Sequence, residues 1–412
     1  MDVTLNTQVV LLLTAPLIAG RNVPTFEILT PSEYNILGRH LKELKKQPSD
    51  FLGKDDEAII DACVPIIEKE RLQRLLGRGF LLSQAIELWR SRAIWVVSRS
   101  DNNYPQRLKN RLYEVAPALL YGCGDYALLD KGGLAVVGSR DIDNSLISYT
   151  KAIAKLAAHA GRTIISGGAR GVDQAAMQGA IEAGGTVCGV LAESLEKAVL
   201  NRENRDLILS KKLTLISPFD PNVRFLVGNA MQRNKYIYAL ADAALVVNSD
   251  YEKGGTWAGA KEQLEKYKLV PVYVRSTGVI SKGLDALIKK GAISWPNPQN
   301  EVDLVKLIDT AISVIKTPNE PEQPASVSEK PANATNLQPI QIMAEDNDLN
   351  MKIRGLLSKP MTEKEIIEKL GLEKTRIKNA LMELLNTNWV VIMKKKPITY
   401  ALKPPELFDT VK

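Results

Sequence analysis

The sequence predicts an α/β protein whose core is a parallel sheet covered by helices on both faces. Between about residues 106 and 316, short apolar runs without polar alternation are separated by amphipathic stretches. Buried strands of a parallel sheet have this composition, and the amphipathic stretches have the period of covering helices. The predicted strands are 134–137, 163–165, 186–191, 213–216, 244–247 and 270–274. The 412 residues correspond to two or three domains at roughly 150 residues each.

The first hundred residues carry helical patterns. The apolar run 9–19 predicts a buried first helix, because no basic segment precedes it, Pro16 interrupts it and it is too short to span a bilayer. Apolar residues at helical spacing predict one helix over 55–76, ended by Gly77, and another over 80–90. We therefore expect a helical N-terminal domain over 1–100, of the SAM or helix-hairpin-helix kind. We also expect a cytoplasmic protein without a membrane segment.

Two further segments follow the predicted sheet domain, which spans 101–316. Residues 317–344 are rich in Pro, Ser and Glu and carry few large apolar side chains, which predicts a disordered linker. In the segment 345–412, a capping box over 362–365 opens a helix that Gly371 ends. A helix over 373–386 and a hairpin with a basic tip follow, which is the winged-helix pattern.

The winged helix supplies a second set of candidate binding residues. Such units place a recognition helix in the major groove of duplex DNA and can set a wing on the backbone. The candidate duplex contacts are Lys374, Arg376, Lys378, Lys394, Lys395 and Lys396. The same unit is compatible with a protein-interaction module, and the sequence leaves the two open.

The scarcity of His and Cys excludes several kinds of site. The chain has two His and three Cys, none of them at zinc-ligand spacing, so we expect no metal site. Three scattered Cys are typical of a reduced protein rather than of a disulfide framework. Two histidines offer few candidates for the base of a catalytic triad. We predict no catalytic residue and no cofactor. The formal net charge of +7 permits an anionic partner without identifying one.

Three glycine-containing segments follow predicted strands and lead into helices. Open parallel sheets bind ligands beyond the carboxyl ends of their strands, and helix N-termini favour phosphate. We therefore predict an anion site formed by Gly138, Ser139, Arg140, Ser166, Gly167, Gly168, Ala169, Arg170, Gly171, Gly254, Gly255 and Thr256. Asp173 is either a hydrogen-bond acceptor for a ligand or loop, or a first-turn carboxylate favoured by the helix dipole.

A basic cluster is expected at the same edge of the sheet. It consists of Arg233, Asn234 and Lys235, and an extended cradle of donors and cations suits a polyphosphate backbone. The loops have neither the Gly-Lys-Ser/Thr of a Walker A loop nor the glycine order of the dinucleotide fingerprint. Nucleotide hydrolysis and hydride transfer therefore have no direct support.

The order of these motifs resembles the DprA/Smf family, DNA-processing protein A, with this chain as a divergent member. The resemblance rests on segments 135–140, 166–173, 184–186, 232–235 and 254–256 and covers about 95–295. It implies an extended Rossmann-like domain that binds single-stranded DNA, forms a homodimer and is not an enzyme. It further implies protection of the strand and loading of the recombinase RecA during natural transformation. The family's DNA pocket carries over onto Gly138, Ser139, Arg140, Ser166, Gly167, Ala169, Gly171, Arg233 and Asn234.

Some positions depart from the family pattern. Lys235 stands where the family has Arg, Met177 replaces a common His, and Glu193 lies where a Gly-x-Gly is expected. Two alternatives therefore stay open. One is a sensor or processing enzyme for a nucleotide derivative, with Glu193 as an acid or base, and the other is a DNA-binding regulator led by the winged helix.

Overall fold

The structure is a computed structural model that divides into two units, Met1–Glu320 and Pro321–Lys412. The described residues are 3–17, 27–53, 56–316, 352–353, 356–357, 360–372, 377–378, 380–381, 384, 390–395 and 398–402. The predicted linker 317–344 lies outside the described residues. No helix in the described part of the chain is long and apolar enough to cross a membrane.

Helices fill the beginning of the first unit. Its helices before the first strand are α1 (Leu5–Thr14), α2 (Pro31–Glu43), α3 (Asp56–Cys63), α4 (Lys69–Leu76) and α5 (Gly79–Ser91). Helix α1 begins after Thr4, whose side chain accepts a hydrogen bond from the Thr7 amide, and it ends two residues before Pro16. Its buried residues include Val9 to Leu13, as the apolar run predicts.

The prediction of one helix over 55–76 is wrong. Helix α3 ends at Cys63 and α4 begins at Lys69, with Pro65 between them. Proline lacks the N–H of the helical ladder and its ring clashes with the preceding turn, so the apolar periodicity continues across a break in the backbone. Gly77 is the C-cap of α4, in agreement with the prediction.

The core of this unit is one nine-stranded sheet within the described residues. Its strands are β1 (Trp95–Ser98), β2 (Leu119–Cys123), β3 (Leu134–Val137), β4 (Ile164–Ser166), β5 (Val187–Val190), β6 (Leu213–Ser217), β7 (Ala243–Val246), β8 (Val272–Val274) and β9 (Ile293–Ser294). Their order in the sheet is β1-β2-β6-β5-β4-β3-β7-β8-β9. Strands β3 to β9 are mutually parallel, whereas β2 runs antiparallel to both β1 and β6.

Helices cover both faces of the sheet, which confirms the predicted fold class. The helices from β1 onward are α6 (Gln106–Leu112), α7 (Ala127–Lys131), α8 (Asn144–His159), α9 (Val172–Glu182), α10 (Leu195–Leu200), α11 (Arg202–Leu209), α12 (Val227–Leu240), α13 (Gly254–Glu262), α14 (Lys282–Lys289) and α15 (Glu301–Lys316). Leu134 and Val136 of β3 belong to one core cluster with Ala157 of α8. Ala135 and Val137 belong to a second cluster that includes residues of α12 and α13. Since successive strand residues point to opposite faces, both faces of β3 are buried.

The second unit carries a small antiparallel sheet. Its elements in the described residues are β10 (Met361–Thr362), α16 (Glu363–Leu370), β11 (Val390–Lys395) and β12 (Ile398–Leu402), with sheet order β10-β12-β11. The predicted capping box is present between Thr362 and Glu365, and Gly371 ends α16 with φ +63°. The candidate residues Lys374, Arg376 and Lys396 lie outside the described residues. The strands and the capped helix agree with the winged-helix prediction.

A buried carboxylate joins the amino ends of the neighbouring strands β3 and β7 to helix α6. Asp242, 1% exposed, precedes β7 and accepts hydrogen bonds from the Gly133 amide (2.8 Å) and from Nη2 of Arg107 (2.7 Å). The same guanidinium donates to the carbonyl of Ala241 (3.2 Å). This network fixes the chain where α12 leads into β7, directly beside the entry of β3.

We expect Asp242→Asn to lower the free energy of unfolding by about 2 kcal/mol, because the two donors bind different carboxylate oxygens and the amide nitrogen that replaces one oxygen cannot accept. Urea unfolding followed by circular dichroism measures this. The matched control is Asp309→Asn, whose ion pair with Arg162 involves a side chain that is 56% exposed. That pair should contribute less than about 1 kcal/mol. Equal destabilisation by the two variants would contradict the prediction.

Candidate functional site

A cleft of about 780 Å³ lies beyond the carboxyl ends of β3 and β7. In the sheet, β3 lies between β4 and β7. The chain leaves β3 toward β4 on one side, whereas β7 occupies the other side, so the loops after β3 and β7 leave a crevice between them. Open α/β sheets bind ligands at such switch points. The predicted site residues that line the cleft are Gly138, Ser139, Arg140, Ala169, Arg233, Asn234, Gly254, Gly255 and Thr256.

The turn after β3 forms one wall of the cleft. The Ser139 amide donates to the carbonyl of Asn248 (3.1 Å), and the Ser139 carbonyl accepts from the amide of Val172 (3.3 Å). A side chain at Gly138 would overlap the side chain of Val172. The turn is therefore held between the end of β7 and the start of α9. The guanidinium of Arg140 lies beyond it, exposed, 5.1 Å from the ring centre of Phe225.

The loop between β4 and α9 has mainly a positioning role. The hydroxyl of Ser166 is buried and donates to the carbonyl of Val136 (2.7 Å), so it joins two strands. Gly171 adopts φ +87°, and a side chain there would overlap the backbone of Ser139 and Arg140. Of the other predicted residues, Gly168 lines a neighbouring groove, and the exposed Arg170 belongs to the lining of neither the cleft nor that groove.

A buried ion pair lies at the base of the cleft. Nη1 of Arg233 is 3.9 Å from Oδ2 of Asp173, and both side chains are more than nine-tenths buried. Oδ2 of Asp173 also accepts from the amide of Gly167 (3.1 Å). Burial raises the pKa of Asp173, opposed by the charge of Arg233 and by backbone hydrogen bonds. This places Asp173 in the loop-holding role, one of its two predicted alternatives.

The guanidinium of Arg233 is only partly satisfied. Its Nε and Nη1 atoms are buried and have no hydrogen-bond partner among the described residues. Burial lowers the pKa of Arg233, Asp173 acts in the opposite direction, and the nearby Arg140 adds to the lowering. An arginine nevertheless stays protonated in proteins. A buried cation with unpaired donors is costly unless an acceptor reaches it, so this corner of the cleft favours an anionic oxygen.

Residues 234 and 235 have different roles. Nδ2 of Asn234 donates to the carbonyl of Gly255 (2.9 Å) and packs against Gly259, so this side chain joins α12 to α13. Lys235 lies 5.2 Å from the ring centre of Tyr236 and does not line the cleft. Burial lowers the pKa of Lys235, with Glu262 acting against the shift. Two positions along a helix are about 200° apart, so Arg233 and Lys235 cannot share a face.

The start of α13 completes the cleft on the far side. Its first residues are Gly254, with φ +82°, then Gly255 and Thr256. The N-cap, Lys253, makes no side-chain capping hydrogen bond and also lines the cleft. First-turn N–H groups without a capping side chain, together with the positive end of the helix dipole, are a ready binding site for phosphate.

Several lining residues were not predicted as part of the site. They are the apolar Met231 and Trp257 and the acidic Asp141, Asp250 and Glu252. Phe225 also lines the cleft and is 40% exposed. The carboxylates belong to no motif, so only their position in the fold reveals them. Their negative charges disfavour an anion in their immediate vicinity.

We expect Gly167→Ala to weaken anion binding in the cleft at least tenfold. The added methyl group would overlap the guanidinium of Arg233 and displace it from Asp173. Fluorescence anisotropy with a labelled thymidylate oligonucleotide measures the loss. The control is Gly79→Ala, where the new methyl group meets no atom within 4 Å. Wild-type binding by a folded Gly167→Ala protein would show that Arg233 does not need its present position.

The chain is similar to known proteins in two segments. The family model "DNA recombination-mediator protein A" matches residues 95–306, and that of "Sugar-specific transcriptional regulator TrmB" matches residues 355–406. DNA processing protein DprA of Bacillus subtilis is 29% identical over 188 residues, which is 45% of this chain and 62% of the relative. Protein Smf of Escherichia coli is 32% identical over 199 residues, 47% of this chain and 52% of the relative.

A solved structure resembles the fold. DNA processing protein A from Streptococcus pneumoniae superimposes with a TM-score of 0.55 at 19% identity, covering 74% of this chain and 98% of that one. This similarity concerns the fold alone. The family model, in contrast, spans about half of the chain and contains every loop that builds the cleft. The chain belongs to the DNA recombination-mediator protein A family.

Proposed function

We propose that this protein binds single-stranded DNA in the cleft, protects the strand and promotes loading of a recombinase of the RecA kind, acting as a homodimer in DNA uptake and recombination. The observation that carries the proposal is the buried guanidinium of Arg233, two of whose nitrogens lack a partner among the described residues. Family membership supports a DNA partner, because the relatives that match are named DNA processing proteins.

The cleft offers three kinds of contact to a DNA strand. Arg233 and Arg140 present guanidinium groups that suit phosphate oxygens. The start of α13 presents backbone N–H groups to a second phosphate. Phe225 presents an aromatic ring at the mouth, and bases stack on such rings without sequence preference. Together these contacts suit a single strand whose bases are free to stack.

The enzymatic alternative finds less support in the geometry. Glu193 is exposed and does not line the cleft. It lies instead in a neighbouring groove of about 1170 Å³ on the other side of Phe225. A general acid or base must come within hydrogen-bond reach of the group it serves. Glu193 therefore lies outside the lining of the cleft, although its charge acts on the guanidinium of Arg233.

We expect Arg140→Ala to reduce affinity for a thymidylate oligonucleotide about tenfold, and Arg233→Ala to reduce it further, equally for all base sequences. Each lost phosphate contact should lower the slope of log K against log salt by about 0.7. Anisotropy titrations over a salt series measure both quantities. Arg205→Ala, an exposed arginine of α11, is the control. Wild-type affinity and slope in the double variant Arg140→Ala, Arg233→Ala would overturn the proposal.

We further propose that the predicted winged-helix segment 345–412 contacts duplex DNA. Lys378 is exposed on a described helical position, and Lys394 and Lys395 end β11. The similarity of 355–406 to a transcriptional regulator family supports this.

Replacing Lys378, Lys394 and Lys395 with Gln in the full chain should weaken binding to duplex DNA severalfold, since charge is lost from helix and wing. Affinity for single-stranded DNA should be unchanged, because the cleft is intact. Unaltered duplex affinity in competition titrations would favour a protein partner for this unit.

A further inference from the structure

Another groove lies in the first unit, away from the cleft and from the groove that contains Glu193. Its volume is about 750 Å³, and it runs between the start of α1, the end of α2 and the turn that follows β1. None of its lining residues lines the cleft described above. It contains three lysines close together in sequence, namely Lys42, Lys45 and Lys46.

The backbone after α2 brings these lysines together. Lys45 adopts a left-handed conformation with φ +55°, and its amide donates to the carbonyl of Lys42 (3.0 Å). The amide of Lys46 donates to the carbonyl of Leu41 (2.8 Å). The chain therefore reverses tightly, and all three exposed side chains belong to one groove. Non-glycine residues occupy this backbone region infrequently, so the turn is held by its surroundings.

These three lysines form no ion pair with a described carboxylate. The one carboxylate in the groove lining is Asp101, which is 5% exposed. It accepts hydrogen bonds from the hydroxyls of Thr4 and Thr7 and from the Ser98 amide. Its oxygens are engaged by neutral donors inside the fold, and the groove keeps a positive charge.

The remaining lining suits a sugar-phosphate backbone rather than a protein surface. Ser100, Asn102, Asn103 and Gln47 add hydroxyl and amide groups. Protein partners are anchored chiefly by large apolar or aromatic side chains in desolvated pockets. Here most of the lining residues are polar or charged, and the aromatic Tyr34 is buried. Lysines, amides and hydroxyls are the groups that contact phosphates and sugars in nucleic-acid complexes.

The strand directions place this groove at the same edge of the sheet as the cleft. Strand β1 is antiparallel to β2, and β2 is antiparallel to β6, so β1 runs in the same direction as β3 and β7. The turn after β1 therefore lies at the carboxyl edge, where the cleft loops also lie. Five strand intervals separate β1 from β3, which is about 24 Å at the usual spacing. A stacked single strand of about seven nucleotides covers that distance.

We propose that the groove of Lys42, Lys45 and Lys46 binds the phosphate backbone of the same single-stranded DNA that occupies the cleft, and so extends the binding site along the sheet edge. This inference rests on the proposed function of the cleft. It assigns single-stranded DNA as the occupant because the lysines form no ion pair in the described part of the chain, most lining residues are polar, and both sites share the carboxyl edge of the sheet.

The test replaces Lys42, Lys45 and Lys46 together with Gln in the full-length protein. With a thymidylate oligonucleotide of about forty nucleotides, the salt slope should fall by about 2, which is three contacts at about 0.7 each, and low-salt affinity should fall at least tenfold. With an oligonucleotide of about six nucleotides, which fills only the cleft, affinity should not change. The control replaces Lys131, Lys211 and Lys268, exposed lysines that precede β3, β6 and β8 and therefore lie at the opposite, amino edge of the sheet.

The outcomes separate this inference from the proposed function. Equal behaviour of the two triple variants with the long oligonucleotide would overturn the inference, as would a loss confined to duplex DNA. If Arg140→Ala with Arg233→Ala leaves short-oligonucleotide binding intact, the function proposed for the cleft fails. A long-oligonucleotide loss in the groove variant would still support DNA contact there. Thermal unfolding should be the same for both triple variants, since all six lysines are exposed.

Discussion

The ion pair between Arg233 and Asp173 is the interaction on which the candidate site depends. Asp173 holds the Gly167 amide and thereby the loop after β4, and Arg233 occupies the space that the missing side chain of Gly167 leaves. Because both groups are buried, neither could be removed without leaving the other uncompensated. Their mutual attraction does not satisfy the guanidinium, whose Nε and Nη1 remain unpaired among the described residues. The fold thus maintains a buried cation with unpaired donors at the base of the cleft.

The sheet gives this pair its setting. Strand β3 is buried on both faces and is flanked by β4 and β7, so three loops emerge side by side at one edge. Strand β2 lies between β1 and β6 and is antiparallel to both. Strand β1 therefore runs in the same direction as the parallel strands β3 to β9. Loops from distant parts of the sequence therefore lie in a row along the carboxyl edge of the sheet. A linear polymer can lie along such a row.

Much of the fold could be predicted from periodicity alone. Apolar runs without alternation mark the parallel strands, and the capping box at Thr362 marks the start of α16. The helix predicted over 55–76 fails because apolar spacing continues across Pro65 while the backbone hydrogen bonds do not. Within the site, Ser166 was predicted to contact an anion, but its hydroxyl bonds to a neighbouring strand. A motif identifies residues that act together without stating which of them face the ligand.

The sequence by itself determined the parallel α/β core, the capped helix and hairpin near the C-terminus, and the glycine loops that family motifs single out. These features follow from local patterns, since burial on both faces, capping and positive φ each constrain residue type directly. Only the tertiary structure decided which cations face the cleft, that Lys235 lies away from it, and that Lys42, Lys45 and Lys46 share a groove at the same edge. The physical reason is that the rotation of each helix decides which of its side chains face the cleft, and the direction of each strand decides which loops lie close together. Contacts between distant residues set both, and no local pattern records them.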